Sequence, residues 1–362
     1  MAPFGDQLRR AVAANEDAPR VWSAGVCALV GIGVGSGIAA AVGLQDAALP
    51  AGFVAALAGV GGALVPRSWT RQVAVPAGIA VAVAPPLALL GEGRPWVACV
   101  LAAAVFAIGT LAQADAPTGS LVGALGSTAY VLSVGMALVR DVSLWHALWA
   151  GVIGLGTAAL VTAGTRAVRG WLVRHRGAAP GPELPRLPGS FATRLGASMS
   201  SAAHDWRSHP FARLAVRRVL VLAPLVAILE AWRDPVALYS LIVAFSVTQP
   251  LAGDTLERVL ARTAGVIGAI IVTVALSVVA PDWVVALFAV LAMVTGLAYL
   301  LRSPFVTALG TTVLTVATGV LAGTSTAAGG RLLATLAGGA VGVLATLLVP
   351  APPATTGAPQ PS

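Results

Sequence analysis

Lysine is missing from this chain; all 22 of its basic residues are arginines. A Walker-type phosphate loop needs a lysine, so ATP-driven transport by this chain alone is excluded, although a separate ATPase partner is not. Charge of either sign is scarce. Charged residues make up 10% of the chain, against about 25% in an ordinary soluble domain, while 57% are hydrophobic and mean hydropathy is +0.88. These values exclude a soluble globular class. Cysteine is limited to Cys27 and Cys99, which lie in apolar segments without metal-ligand spacing and read as packing residues. His146, His175, His204 and His209 have no carboxylate and nucleophile at recognisable spacing, so no catalytic site, cofactor or metal is expected. No carboxylate falls in mid-run, where one would cost roughly 2.5–3.5 kcal/mol and mark a proton relay. Proton coupling would therefore have to use boundary residues such as Asp46, Asp115, Glu230 or Asp254.

What the chain does have is long apolar runs. About 20 helical residues cross about 30 Å of hydrocarbon at 1.5 Å per residue. After a polar tail at 1–20, such runs fall near 22–42, 50–65, 73–90, 96–112, 118–139 and 144–163. The first is too long for a typical signal-peptide core and reads as a retained helix. Residues 166–212 form a basic linker interrupted by Pro180, Pro182, Pro185 and Pro188. Within it Phe191, Leu195 and Met199 recur every four residues, the pattern of a short interfacial helix, with a solvated loop as the alternative. Further runs fall near 214–231, 235–248, 263–280, 283–301, 305–322 and 332–349, before a Pro-rich, disordered tail at 350–362. The expected architecture is an all-α integral membrane protein of about 12 transmembrane helices.

Arginine placement orients these spans, because arginine-rich loops stay in the cytoplasm. With the N-terminus inside, the inner segments hold 18 arginines, and the outer ones hold only Arg94, Arg140, Arg233 and Arg331. Both termini are expected in the cytoplasm of a bacterium, with the protein multi-pass in its inner (plasma) membrane. The net charge of +8 then faces anionic lipid, and nucleic acid is not an expected partner.

The two halves read as one unit duplicated. Pro66 and Pro250 are 184 residues apart, as are Ala124–Thr128 and Ala308–Thr312, Gly135 and Gly319, and Gly154 and Gly338. Arg71 and Arg258 are 187 apart, as are Gly78 and Gly265, Trp96 and Trp283, and Gly109 and Gly296. One short insertion near Asp254, later compensated, accounts for both offsets. Units with an even number of spans share an orientation, so the expectation is two parallel six-helix repeats, at 21–165 and 213–349.

The most distinctive stretch is 239–268, where an apolar segment ends in Gln249-Pro250. Gly253-Asp254-Thr255 turns the chain, and Arg258 and Arg262-Thr263-Ala264-Gly265 lead into the next run. With Arg213, Arg217 and Arg218 at the head of the preceding helix, residues 213–349 resemble the FUSC family of fusaric acid resistance protein-like membrane proteins, related to aromatic acid exporters. The usual aromatic pair before the second helix is here a separated Trp232 and Tyr239, and Val266 stands where the family has Thr. The resemblance implies an integral membrane transporter exporting hydrophobic or aromatic carboxylic acids.

The candidate substrate-binding residues are Arg71, Arg258, Arg262, Asp254, Thr311 and Thr315. Arg258 and Arg262 are one helical turn apart and would offer two guanidinium forks to one carboxylate. The alternative is that they are only topology signals, neutralised by Asp254 or Glu257. Thr307, Thr311, Thr315 and Thr318 make a hydroxyl stripe that lines a polar route or, alternatively, bonds back to its own helix. Gly31, Gly33, Gly35 and Gly37 lie inside a span and point to close helix approach rather than to a nucleotide loop. Two functions follow: a transporter of small organic anions, and a non-transporting scaffold whose basic linker anchors lipid or a cytoplasmic partner.

Overall fold

The computed structural model describes residues 21–115, 118–139, 142–175, 189–250, 252–300, 302–321 and 326–350. The polar tail at 1–20, linker residues 176–188 and the tail from 351 onward lie outside the described residues. No strand occurs among the described residues.

Six apolar helices precede the linker: α1 (Trp22–Ala41), α2 (Ala48–Leu64), α3 (Val75–Gly91), α4 (Pro95–Ala112), α5 (Thr118–Val139) and α6 (Leu144–His175). The linker contributes α7 (Phe191–His204). Six more follow as α8 (Pro210–Trp232), α9 (Pro235–Val247), α10 (Ala252–Val279), α11 (Asp282–Ala298), α12 (Pro304–Leu321) and α13 (Thr326–Leu348). Among the described residues eight segments are long and apolar enough to cross a membrane; α2, α9 and α11 are apolar but shorter. This is a multi-pass membrane protein.

Proline sets the two short second helices. α2 stops at Leu64, before Pro66, and a 3₁₀ turn (Arg67–Trp69) and a π turn (Thr70–Ala74) redirect the chain into α3. α9 stops at Val247, before Pro250, so the run near 235–248 is a 13-residue helix. The linker is more helical than its prolines imply. α6 continues from Leu144 to His175, twelve residues past the apolar run that ends at 163. α7 starts at Ser190, whose hydroxyl accepts the Thr193 N–H at 3.2 Å, so the helical reading of Phe191, Leu195 and Met199 holds. It packs on α4, with Arg194 Nε 3.4 Å from Asp115 Oδ2, and Gln72 Nε2 donates to the Gly189 carbonyl at 3.3 Å.

Within the first half α2 packs on α1 and α6, and α3 on α5; within the second, α13 packs on α9 and α12 on α10 and α11. The halves meet chiefly through α4 with α8 and α11 with α1, and also through α5 with α9. At one end of the α4–α8 pair, Glu230 accepts the Gly93 N–H at 3.4 Å. At the α11–α1 contact the Val21 N–H donates to the Ala298 carbonyl at 3.0 Å, and Trp22 meets Tyr299 edge-on at 6.4 Å. The largest core cluster draws on both halves: Phe106 of α4 lies between Tyr130 of α5, T-shaped at 6.1 Å, and Phe245 of α9, stacked at 5.8 Å. A small apolar pocket lies in the first half, between Pro50, Pro85, Leu89, Met136 and Val142.

Candidate functional site

Arginines account for most of the ionic chemistry inside the helix bundle. A helix that ends within the bundle leaves carbonyls without intrahelical donors, which must be satisfied from elsewhere. At the end of α9, Arg217 of α8 does this: Nη1 donates to the Gln249 and Pro250 carbonyls at 2.8 and 2.9 Å, and Nε to the Val349 carbonyl at 2.6 Å. At the end of α2 the donor comes from α6. Arg166 Nη2 donates to the Gly62 and Val65 carbonyls at 2.7 and 2.9 Å, and its Nη1 to Thr70 Oγ1 at 3.0 Å. Each proline elbow is thus closed by a planar guanidinium that reaches several acceptors at once.

Arg218, the next residue of α8, points into the core and is 5% exposed. Its Nη1 donates to Thr110 Oγ1 of α4 at 3.1 Å and Nη2 to the Thr248 carbonyl at 3.3 Å, with the guanidinium 4.6 Å over the Phe245 ring. It extends the aromatic column of Tyr130, Phe106 and Phe245, tying the two halves together through one cation. From there positive charge continues along α10. Arg258 is within electrostatic range of Arg218 and Arg262, and Arg262 of Arg331 on α13. Asp254 is the carboxylate that acts on this group, and it acts on Arg258. The ion pairs at Asp46–His146, Asp115–Arg194 and Glu92–Arg233 involve none of these arginines.

The structure distributes the expected site residues unevenly. Arg258 and Arg262 share α10 and form a group with Asp254 at its head, where the Thr255 hydroxyl accepts the Gln249 N–H at 3.1 Å. Arg71 is the exposed residue of the π turn in the first elbow, which packs on α2, α3 and α5 rather than on α10. Thr311 and Thr315 belong to α12, and their hydroxyls donate to the Thr307 and Thr311 carbonyls at 2.9 and 3.0 Å. Thr307 and Thr318 also bond back to their own helix. The stripe is engaged locally, as membrane threonines commonly are.

Sequence reasoning missed Arg331. Assigned to an outer loop, it lies in α13, is 5% exposed, and its guanidinium sits 4.5 Å over the Tyr239 ring of α9. Its place after an unbroken small-residue segment was the available signal, since the helix begins at Thr326. Arg217 and Arg218, expected at the head of their helix and counted among the inner arginines, are buried helix residues. Among the described residues no group of His, Cys, Asp and Glu is placed to hold a metal.

Residues 221–345, about a third of the chain, match the fusaric acid resistance protein-like (FUSC) family. The match spans the second half of α8, all of α9 to α12 and most of α13, and includes Tyr239, Arg258, Arg262 and Arg331. No curated protein and no solved structure matches the chain.

Proposed function

We propose that this protein exports hydrophobic or aromatic carboxylic acids, or related small organic anions, across a bacterial inner membrane. The observation that carries the reading is the run of arginines in the family-matching half. Arg258 and Arg262 stand one turn apart on α10, with the Asp254 carboxylate acting on Arg258 and a second cation, Arg331, acting on Arg262, an arrangement that favours an anionic ligand over a cation. Asp254, Thr311 and Thr315 remain candidate contacts beside them, with Arg71 as the corresponding cation of the first half.

The reading includes 12 spans in two parallel repeats with both termini in the cytoplasm. Supporting it, the crossing pairs α4–α8 and α11–α1 exchange places when the halves are swapped. A Cβ on Gly123 would strike Gly109 of α4, and one on Gly310 would strike Gly296 of α11, so the fifth helix of each half lies close against the fourth. Gly154 and Gly338, 184 apart, each lie against the second helix of their own half, at Ala51 and Val54 of α2 and at Ser240 and Val243 of α9. In this reading an axis along the membrane normal relates the halves, and the Phe106 column closes the path between them.

The test is uptake and efflux of radiolabelled aromatic and aliphatic acids in proteoliposomes, with and without an imposed pH gradient. Wild type is compared with Arg258→Ala and with Arg71→Ala combined with Arg258→Ala. Flux that falls at least tenfold in the variants supports the reading, and its pH response defines the coupling. Folded protein without flux across the panel would favour the scaffold, for which deletion of residues 180–205 should abolish function.

A further inference from the structure

We infer that a small inorganic monoanion of the halide class binds between Arg262 and Arg331 as a resident counter-ion of the second half. This goes beyond the transport reading and stands whether or not the chain moves organic acids.

The argument begins with the partners of Arg331. Its side chain is enclosed by α13, α9 and α10, beside Ala334 at 0% and Thr335 at 1% exposure, and its Nε and Nη1 have no hydrogen-bond partner. Tyr239 offers the guanidinium a ring face, which attracts the charge but accepts no N–H bond along the guanidinium edge. Nearby hydroxyls are engaged within their own helices: Thr335 donates to the Arg331 carbonyl at 2.8 Å and Ser240 to the Val236 carbonyl at 2.7 Å. Arg262, a charge of the same sign, is within electrostatic range of Arg331, and Arg258 is within range of Arg262.

An arginine cannot escape burial by losing its proton, as a lysine can. A cation–π contact contributes about 2 kcal/mol when desolvated, whereas the effective penalty for burying an ion is several kcal/mol. A second guanidinium nearby adds repulsion. An anion shared by Arg262 and Arg331 removes both costs, and a halide fits because the enclosure supplies cationic donors and apolar surface without space for a carbon skeleton being required.

Thermal unfolding in detergent, with chloride replaced by gluconate at constant ionic strength, tests this on the full chain. Chloride or bromide should raise the wild-type midpoint with the logarithm of its concentration, by about 5 °C at about 100 times its dissociation constant. Arg331→Gln should lose that response, and without chloride it should be at least as stable as wild type, because an unpaired buried charge has been removed. Arg169→Gln, an exposed site on α6, should respond like wild type. An unchanged chloride response in Arg331→Gln, or none in wild type, would overturn the inference. So would a response to benzoate and not to chloride, which would assign the two arginines to the cargo. Should Arg331→Gln not fold, saturable binding of radioactive chloride to wild type, displaced by bromide, decides the matter; no saturable binding refutes it. Arginine-independent acid flux would leave the chloride site intact while removing the transport site proposed above, so the two readings fail separately.

Discussion

Replacing Gly310 with alanine tests the closest helix approach in the family-matching half. An alanine Cβ at 310 would overlap the Ala292 carbonyl oxygen and lie 2.9 Å from the Cα of Gly296. Both obstacles are backbone, so no rotamer change relieves them, and α11 and α12 have to separate. Overpacking of this kind costs about 1–3 kcal/mol, and here the separation also loosens Val285, Ala289, Val313 and Ala317. Against it stands the helix preference of alanine over glycine, about 1 kcal/mol. Because both clashes are with backbone, the upper part of that overpacking range, about 2–3 kcal/mol, applies, and the net expectation is a loss of about 1–2 kcal/mol. Gly37→Ala is the matched control: a Cβ there meets nothing within 4 Å, so only the propensity gain remains. The same chemical change should therefore give opposite signs, with the two variants separated by about 2–3 kcal/mol, or a midpoint difference of about 4–6 °C. Thermal unfolding in detergent, followed by the fluorescence of the nine tryptophans, measures this directly. Equal stability of Gly310→Ala and Gly37→Ala would refute the α11–α12 contact.

Arg217→Ala should lower stability by roughly 1–3 kcal/mol, since three half-buried carbonyls lose a charged donor, and Arg217→Lys should recover little because one ammonium cannot reproduce the fork; full rescue by lysine would sink that account. With Cys27 and Cys99 replaced, Val21→Cys and Ala298→Cys should form an intramolecular cross-link seen as an electrophoretic shift, and failure to do so would count against the α1–α11 contact between the halves. The Asp46–His146 pair, 2.6 Å apart and about one-third exposed, joins the α1–α2 connection to the first turn of α6. The His146 hydrogen bond holds the Asp46 carboxyl below its ordinary range, so its stabilisation is present above about pH 4, the unfolded value, and is lost as pH falls through the lowered folded value. Asp46→Asn should cost less than about 1 kcal/mol at neutral pH, and its melting curve should converge with that of wild type in acid; a gap that persists there would show that the ion pair is not its cause.

Hydropathy alone places the protein in a membrane and marks where α1 to α6 and α8 to α13 lie, because each helix needs only its own apolar residues and a nearby break. Pro66 and Pro250 are local signals of the same kind, and they locate the elbows at which α2 and α9 end. The Gln249-Pro250 turn and the spacing of Arg258 and Arg262 likewise identified the family-matching half. What each arginine does was not local. Arg217 meets carbonyls 32 and 132 residues away, Arg166 meets carbonyls 104 and 101 residues away, and Arg218 reaches Thr110 across the two halves. A count of positive charges cannot distinguish such residues from arginines in solvated loops, since both kinds occur near helix ends. The tertiary structure alone decided that Arg331 is enclosed against Tyr239 and beside Arg262, that the Arg71 elbow packs on α2, α3 and α5 rather than on α10, and that α4 joins α8 while α11 joins α1. Those outcomes depend on which helix faces meet, and the energy of bringing buried guanidinium groups, carbonyls and aromatic rings together exists only once the helices have packed.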